Sequence, residues 1–297
     1  MEIAVSIIIP TYNRKSLLKR SIESVLNQTY KKFEIIIIDN NSSDGTYEYI
    51  KELNEDKIKF FKINNNGVIA KSRNYGIKKA SGKFIAFLDS DDWWHHTKLE
   101  KCIKYINDYD FIYHNMIEVA GNKKRKLRLR SLRKPPFNDL IKNGNSIMTS
   151  SVFTKKEALI DSQYFNESDF CKGWEDYELW LKIAKNNYSF KRLNSFLGFY
   201  HIGDDNFDNP LQALKNISLI EKYFIEKLEI NFSNIWWTGY AKGRLHSSLG
   251  DYKISNTLLL NTFKRNKIPF VVFLKIIYTF SINFLKSNKI IKKKQNR

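Results

Sequence analysis

Val5-Ser6-Ile7-Ile8-Ile9-Pro10-Thr11-Tyr12-Asn13 is the stretch whose reading decides the fold. Its first five residues form a short, almost wholly apolar run, as expected of a strand covered on both faces, and Pro10 stops it. Leu17, Leu18, Ile22, Val25 and Leu26 follow at helical spacing, which predicts a helix over residues 14–28. Ile35-Ile36-Ile37-Ile38 repeats the strand signal and ends at Asp39-Asn40. A polar turn then leads into a helix carrying Tyr47, Ile50 and Leu53. Residues 58–63 read as a third strand, residues 70–79 as a helix, and residues 83–88 as a fourth strand ending in Asp89-Ser90-Asp91-Asp92. Thr97-Lys98-Leu99-Glu100 has the form of a capping box opening the next helix. Strand–helix alternation with unbroken apolar strands predicts an α/β fold with a mainly parallel sheet flanked by helices. Such sheets bind ligands beyond the carboxyl ends of their strands.

Two nucleotide motifs are excluded. The chain contains no GxGxxG, and residues 76–84 imitate a P-loop with one residue too many and no Ser/Thr for a metal. What remains at the strand ends is acid. Asp89, Asp91 and Asp92 crowd four positions, and carboxylates so close repel unless a cation lies between them. Mg²⁺ or Mn²⁺ shared with a phosphorylated ligand answers that need, against the plainer reading of a solvated turn. A second constellation is Trp174-Glu175-Asp176-Tyr177-Glu178-Leu179-Trp180. Asp176 shares helical spacing with Leu179, Trp180 and Ile183, which expects it on the inward face, with Glu175, Glu178 and Lys182 on another. A carboxylate among apolar residues suits a general base, and one in a first turn equally suits the helix N-terminus. His201 could complete a metal shell; His95 and His96 follow the acidic turn and could line the same crevice. His114 and His246 have no supporting context.

These motifs, in this order, resemble family 2 glycosyltransferases. The similarity runs through the Pro10-Thr11-Tyr12-Asn13-Arg14 segment, residues 24–30, and residues 33–46. It continues in Ser72-Arg73-Asn74-Tyr75-Gly76-Ile77, Phe87-Leu88-Asp89-Ser90-Asp91-Asp92 and Trp174-Glu175-Asp176-Tyr177. The resemblance implies a GT-A fold, a Rossmann-like nucleotide-diphospho-sugar transferase sheet, and inverting transfer of a sugar, a UDP-sugar above all. It implies that Pro10, Thr11 and Asn13 border the nucleotide, that Asp39 and Asn40 meet base and ribose, and that Arg73 approaches the ribose or diphosphate. It further implies Asp89 toward the ribose, Asp91 with Asp89 and His201 around a divalent metal (Mn²⁺ or Mg²⁺), and Asp176 as base with Glu175 beside it. The partners it implies are a nucleotide-sugar donor and a glycan or lipid-linked acceptor in bacterial surface-polysaccharide or lipopolysaccharide assembly.

Charge suggests a competitor. With 50 Lys+Arg against 31 Asp+Glu the chain carries +19, which raises a nucleic-acid or anionic-membrane reading with a degenerate transferase domain. The densest run, residues 123–134, holds eight Lys/Arg and no acid, yet no stacking aromatic or recognition motif accompanies it. No nucleic-acid partner is therefore expected, and the run reads as a solvated loop between the two halves of the transferase. Residues 268–285 are apolar but interrupted, with Lys275, Thr279, Asn283 and Lys286 forming a polar stripe. This predicts a helix lying at a membrane interface or packed on the protein rather than a span. Two cysteines and no visible secretory signal fit a cytoplasmic protein, peripheral at the inner face of the plasma membrane. The expected domains are a transferase domain over 1–206 (donor half to about 118, acceptor half from about 135) and a helical basic extension over 207–297. The joint is expected at residues 203–206.

Overall fold

The computed structural model describes residues 4–168, 171–203, 209–231, 235–264 and 268–295. Residues 204–206 of the expected joint, and Arg297 of the basic tail, lie outside the described residues. The chain divides into two compact units, residues 1–137 with 145–206, and residues 138–144 with 207–297.

The first unit is built on the isoleucine strands. β1 (Val5–Thr11) and β2 (Phe33–Asp39) are buried at every position, which is why both read as continuous apolar runs. They pair in parallel with β3 (Ile58–Lys62) and β4 (Phe84–Phe87), in the order β3-β2-β1-β4. Between them lie α1 (Lys15–Leu26), which buries Leu18, Ile22 and Val25, α2 (Thr46–Leu53), and α3 (Ile69–Lys79). Gly76 lets α3 settle on β1, because a Cβ there would stand 2.6 Å from Ile8 Cγ2.

Beyond β4 the sheet changes direction. β5 is Trp93–Trp94, α4 is Lys98–Ile103, β6 is Phe111–Ala120 and β7 is Lys123–Leu127. After α5 (Pro136–Asn143) come a 3₁₀ turn at Thr149–Ser151, β8 (Phe153–Lys155), α6 (Lys156–Asp161), α7 (Glu175–Lys185) and β9 (Phe190–His201). β8 runs antiparallel to both β4 and β6, β9 runs parallel to β6, and β5 runs antiparallel to β9. The sheet is therefore mixed: the parallel half β3-β2-β1-β4 is joined through the three residues of β8 to a half that combines the parallel β6–β9 pair with antiparallel pairings.

Two local expectations are corrected. The basic run does not form a loop at its start: Lys123–Leu127 is a strand of a hairpin with β6, turned by Gly121 at φ 55° and Asn122. Arg125 closes a two-pronged ion pair on Glu118, at 2.8 and 2.7 Å. Thr97 does not cap α4 with its side chain; its hydroxyl meets His95 Nδ1 at 2.9 Å, and Glu100 accepts from Thr29 and Lys104 instead.

In the second unit, Trp237 donates to the Ile141 carbonyl at 2.7 Å and Trp236 to Asn143 at 3.1 Å, tying the end of α5 to α9 (Trp237–Leu249). The other helices are α8 (Pro210–Ile220), continued by a π-helical turn at Glu221–Glu226, α10 (Tyr252–Phe263) and α11 (Phe270–Gln295). The polar stripe expected along α11 breaks up. Asn283 is fully buried and donates to Ser255 and to Asn256, at 2.8 Å each, while Ser247 donates to it. Bonds of this kind fasten α11 to α10 and α9.

Candidate active site

Neighbouring strand ends bring the first group of residues together. Thr11 lies opposite Asp39 across the β1–β2 pairing, and the Thr11 carbonyl accepts from the Asn40 amide at 3.0 Å. Asn13, at φ 47°, donates its backbone N–H to the Ser42 hydroxyl, and its side-chain oxygen accepts from the Ser43 amide, both at 2.8 Å. The Asp39 carboxylate, wholly buried, accepts from the Ser42 amide at 3.0 Å and from the Ser42 hydroxyl. Asn40 accepts from the Asn65 amide at 2.8 Å. Pro10, Thr11, Asn13, Asp39 and Asn40 thus line one end of the sheet, where the two turns brace each other.

The acidic turn after β4 is held by cations and hydroxyls. Asp91 meets Arg14 at 2.5 Å, and its carbonyl accepts from Arg20 at 2.7 Å. The Asp89 amide donates to the Ser150 hydroxyl at 3.1 Å. Asp92 is buried and accepts from the His201 amide at 2.9 Å, which ties the end of β9 to this turn. Burial, and then the Asp89 charge, push the Asp91 carboxyl above its usual range. Burial with Asp89 and Asp91 pushes Asp92 well above it. The cluster is held against its own repulsion.

Arg73 joins this turn to the second constellation. From α3 its buried guanidinium reaches Asp89 at 2.7 Å and Glu175 at 2.6 Å. Burial opposes its charge, but Asp89 and Glu175 more than offset this and hold its pKa above the ordinary value. The expected division of α7 into faces is corrected, because Glu175 is itself buried, drawn inward by Arg73. Only Glu178 and Lys182 pair along the helix, at 3.1 Å. Asp176, half-buried beside Glu175, accepts from the Thr149 hydroxyl at 3.0 Å. Burial first, and then the Glu175 charge, raise its pKa, with Arg73 and Thr149 opposing. A carboxylate in that state accepts a proton near neutral pH more readily than an exposed one.

His201 reaches the same region through its amide on Asp92, and its buried ring Nδ1 has no hydrogen-bond partner among the described residues. His95 and His96 stack on each other with centroids 4.2 Å apart, and His95 bonds to Thr97 rather than to the carboxylates. His114 is buried in β6, where burial and Lys98 depress its pKa well below the usual value. Among the described residues no three His, Cys, Asp or Glu side chains form a ready-made metal cage. A cation shared with a diphosphate needs only one or two protein ligands. The Asp91 carboxylate and the unpaired His201 nitrogen fit such an ion.

Sequence reasoning gave three supporting residues no individual role. Arg14 was read without a role, yet it faces Asp91. Thr149 and Ser150 sit in a hydroxyl-rich segment, Thr149-Ser150-Ser151, whose only distinguishing signal is its place before the apolar Val152-Phe153.

Comparison with known proteins identifies the family. The sequence profile described as Glycosyl transferase family 2 matches residues 6–167. The chain is similar to the Escherichia coli UDP-Glc:alpha-D-GlcNAc-diphosphoundecaprenol beta-1,3-glucosyltransferase WfgD, 37% identical over 62% of this chain and 70% of that one. Its fold resembles that of S. aureus TarS 1-349 in complex with UDP-GlcNAc, with TM-score 0.60, 18% identity, and coverage of 96% and 92%. A mannosyltransferase from Pyrobaculum calidifontis in complex with GDP-Man and Mn²⁺ gives TM-score 0.59 and 17% identity, covering 94% of this chain and 80% of that one. The match spans only 26%, 30% and 44% of three longer Rickettsia relatives. With the profile covering more than half its length, and with a mixed sheet of the GT-A type under it, the chain belongs to glycosyl transferase family 2.

Proposed function

We propose that the chain transfers a hexose from a nucleotide-diphosphate donor, a UDP-sugar, to a hydroxyl of a lipid-linked glycan, inverting the anomeric centre, with Asp176 as general base. The observation that carries this reading is the Arg73 bridge, which fixes the acidic strand end at Asp89 and the acidic helix start at Glu175 around one guanidinium. Asp176 takes the proton of the acceptor hydroxyl as its oxygen bonds to the anomeric carbon. The bond from that carbon to the diphosphate oxygen breaks with its electron pair leaving on the nucleoside diphosphate. A single displacement of this kind inverts configuration and leaves nothing attached to the protein. Pro10, Thr11, Asn13, Asp39 and Asn40 border the nucleotide, while Asp89 orients the ribose and Arg73 holds Asp89 in place. Asp91, with His201 and Asp89, would hold a divalent cation, Mn²⁺ or Mg²⁺, whose charge offsets that developing on the diphosphate. The names of the E. coli relative and of the Pyrobaculum mannosyltransferase support a UDP-sugar, a diphosphate-lipid acceptor and a divalent ion.

Release of UDP from a panel of UDP-sugars, with and without a diphosphate-lipid acceptor, tests the reading. Asp176→Asn is expected to abolish transfer while calorimetric binding of UDP persists, and EDTA to stop turnover. Full activity in Asp176→Asn removes it as base, and turnover that survives EDTA removes the metal role of Asp91.

A further inference from the structure

The outward side of α11 carries a surface that the transferase reading does not use. Phe270, Ile277 and Phe284 recur every seven residues along one side of the helix, with Val271, Tyr278 and Leu285 beside them and Leu274 between, and all are exposed, Phe270 by 72% and Phe284 by 66%. The side facing α9 and α10 instead holds the buried Asn283 and Ile276. The helix is thus fastened inward in part by amide and hydroxyl bonds and turns its large apolar side chains outward. Leu260 and Phe263 of α10 are exposed as well. From residue 252 to the end the sequence has eleven Lys and Arg and no Asp or Glu. Of these, Lys275 and Lys286 are exposed on α11 itself. Apolar side chains facing solvent within a wholly basic segment are the two signals that together hold a helix on an anionic bilayer.

We propose that this face of α11 is a membrane-docking surface that lies in the headgroup region of an anionic leaflet, parallel to it. The 18-residue window Phe270–Ser287 has a mean hydropathy of 1.4, enough to be weighed as a span. Spanning would place the Lys275 charge inside the hydrocarbon core. Spanning would also pull Asn283 from Ser255 and Asn256 and strand it in hydrocarbon. Lying flat keeps those bonds, buries Phe270, Leu274, Ile277 and Phe284 in the acyl boundary, and leaves Lys275 and Lys286 among the phosphates. The proposal concerns where a lipid-linked acceptor would be met, and its readout is vesicle binding, which is independent of transfer.

The full chain is mixed with vesicles of phosphatidylethanolamine and phosphatidylglycerol, and separately with phosphatidylcholine alone, and sedimented. Binding to the anionic vesicles, weakened by salt and released by alkaline carbonate, is expected. The triple variant Leu274→Glu/Ile277→Glu/Phe284→Glu, whose changes are all on exposed positions, is expected to weaken binding at least about tenfold. Lys275→Gln and Lys286→Gln are each expected to weaken it about fivefold, with unchanged far-UV circular dichroism in every variant. Undiminished binding by the triple variant overturns the proposal. So does resistance to carbonate, which would mean a span. Failure of the native chain to bind, with a dimer by light scattering that the triple variant abolishes, would assign the face to a second copy instead.

Discussion

Arg73→Met offers the sharpest test of the site's construction. The substitution keeps much of the side chain's volume but removes the guanidinium that meets Glu175 at 2.6 Å and Asp89 at 2.7 Å. The two losses are unequal. The Asp89 side chain is 30% exposed and water can replace its partner, so that contact contributes little. Glu175 is buried, with its side chain only 8% exposed, and among the described residues keeps the Gly173 amide at 2.8 Å as its donor. Stranding a buried charge costs about 3–5 kcal/mol. For a unit of this size, each kcal/mol moves the melting temperature about 2–4 °C, so a fall of roughly 6–20 °C is expected. Adding Glu175→Gln removes the stranded charge and keeps an oxygen for Gly173, so the double variant is expected to melt above Arg73→Met alone. Thermal unfolding followed by circular dichroism at neutral pH reads both effects. A melting point for Arg73→Met within about 2 °C of the native chain would refute the reasoning, and so would a double variant as unstable as the sum of the two singles.

Three further outcomes are expected. Lys98 is wholly buried, its amine above the Trp94 ring, and burial lowers its pKa to about 7. The depressed value burdens the folded state while Lys98 is charged, and the burden fades as pH rises from about 7 toward the unfolded value near 10.4. Lys98→Met should therefore be more stable than the native chain at pH 6, with the gap closing by pH 10. A gap independent of pH in denaturant titrations would contradict this. Thr149 donates to Asp176 and so favours its charged form. Thr149→Val should raise the Asp176 pKa and move the acidic limb of the kcat profile up by about one pH unit, with Thr149→Ser restoring it; superimposable profiles would rule the contact out. Gly76→Ala would drive a Cβ to 2.6 Å from Ile8 Cγ2 in the core. That should cost about 1–3 kcal/mol, and an unchanged melting temperature would show that α3 can shift.

The parallel half was legible because β1 and β2 are buried on both faces and advertise themselves as isoleucine runs. Their ends carried the site with them: Thr11 and Asp39 are the last residues of β1 and β2, and Asp89 follows β4 by two. The mixed half hid for physical reasons. β6 keeps His114 and Asn115 buried at a register shift, so no clean alternation marks it. β8 is three residues long, and chain direction within a sheet is set by partners distant in sequence. β7 looks like a loop because its residues are basic, although Gly121-Asn122 is a two-residue hairpin signal that was overlooked. Asp176 was found by motif, but what raises its pKa is burial and then the charge of Glu175, which Arg73 pulls inward from 102 positions away. On α11 the polar stripe was read as the wet side, whereas Asn283 faces inward to partners on two other helices.

β7 bears on how copies of this chain treat each other. Among the described strands it pairs with β6 alone, and β3, at the far end of the sheet, pairs with β2 alone. Unpaired strand edges invite the edges of other copies, and lysine is an effective deterrent. Lys123, Lys124, Arg125 and Lys126 stand exposed on the first edge, and Lys59 and Lys62 on the second. Two such edges brought together would face like charge with like charge. Part of the excess of basic residues is thereby accounted for without any polyanion: it keeps an isoleucine-rich sheet from growing from one molecule into the next.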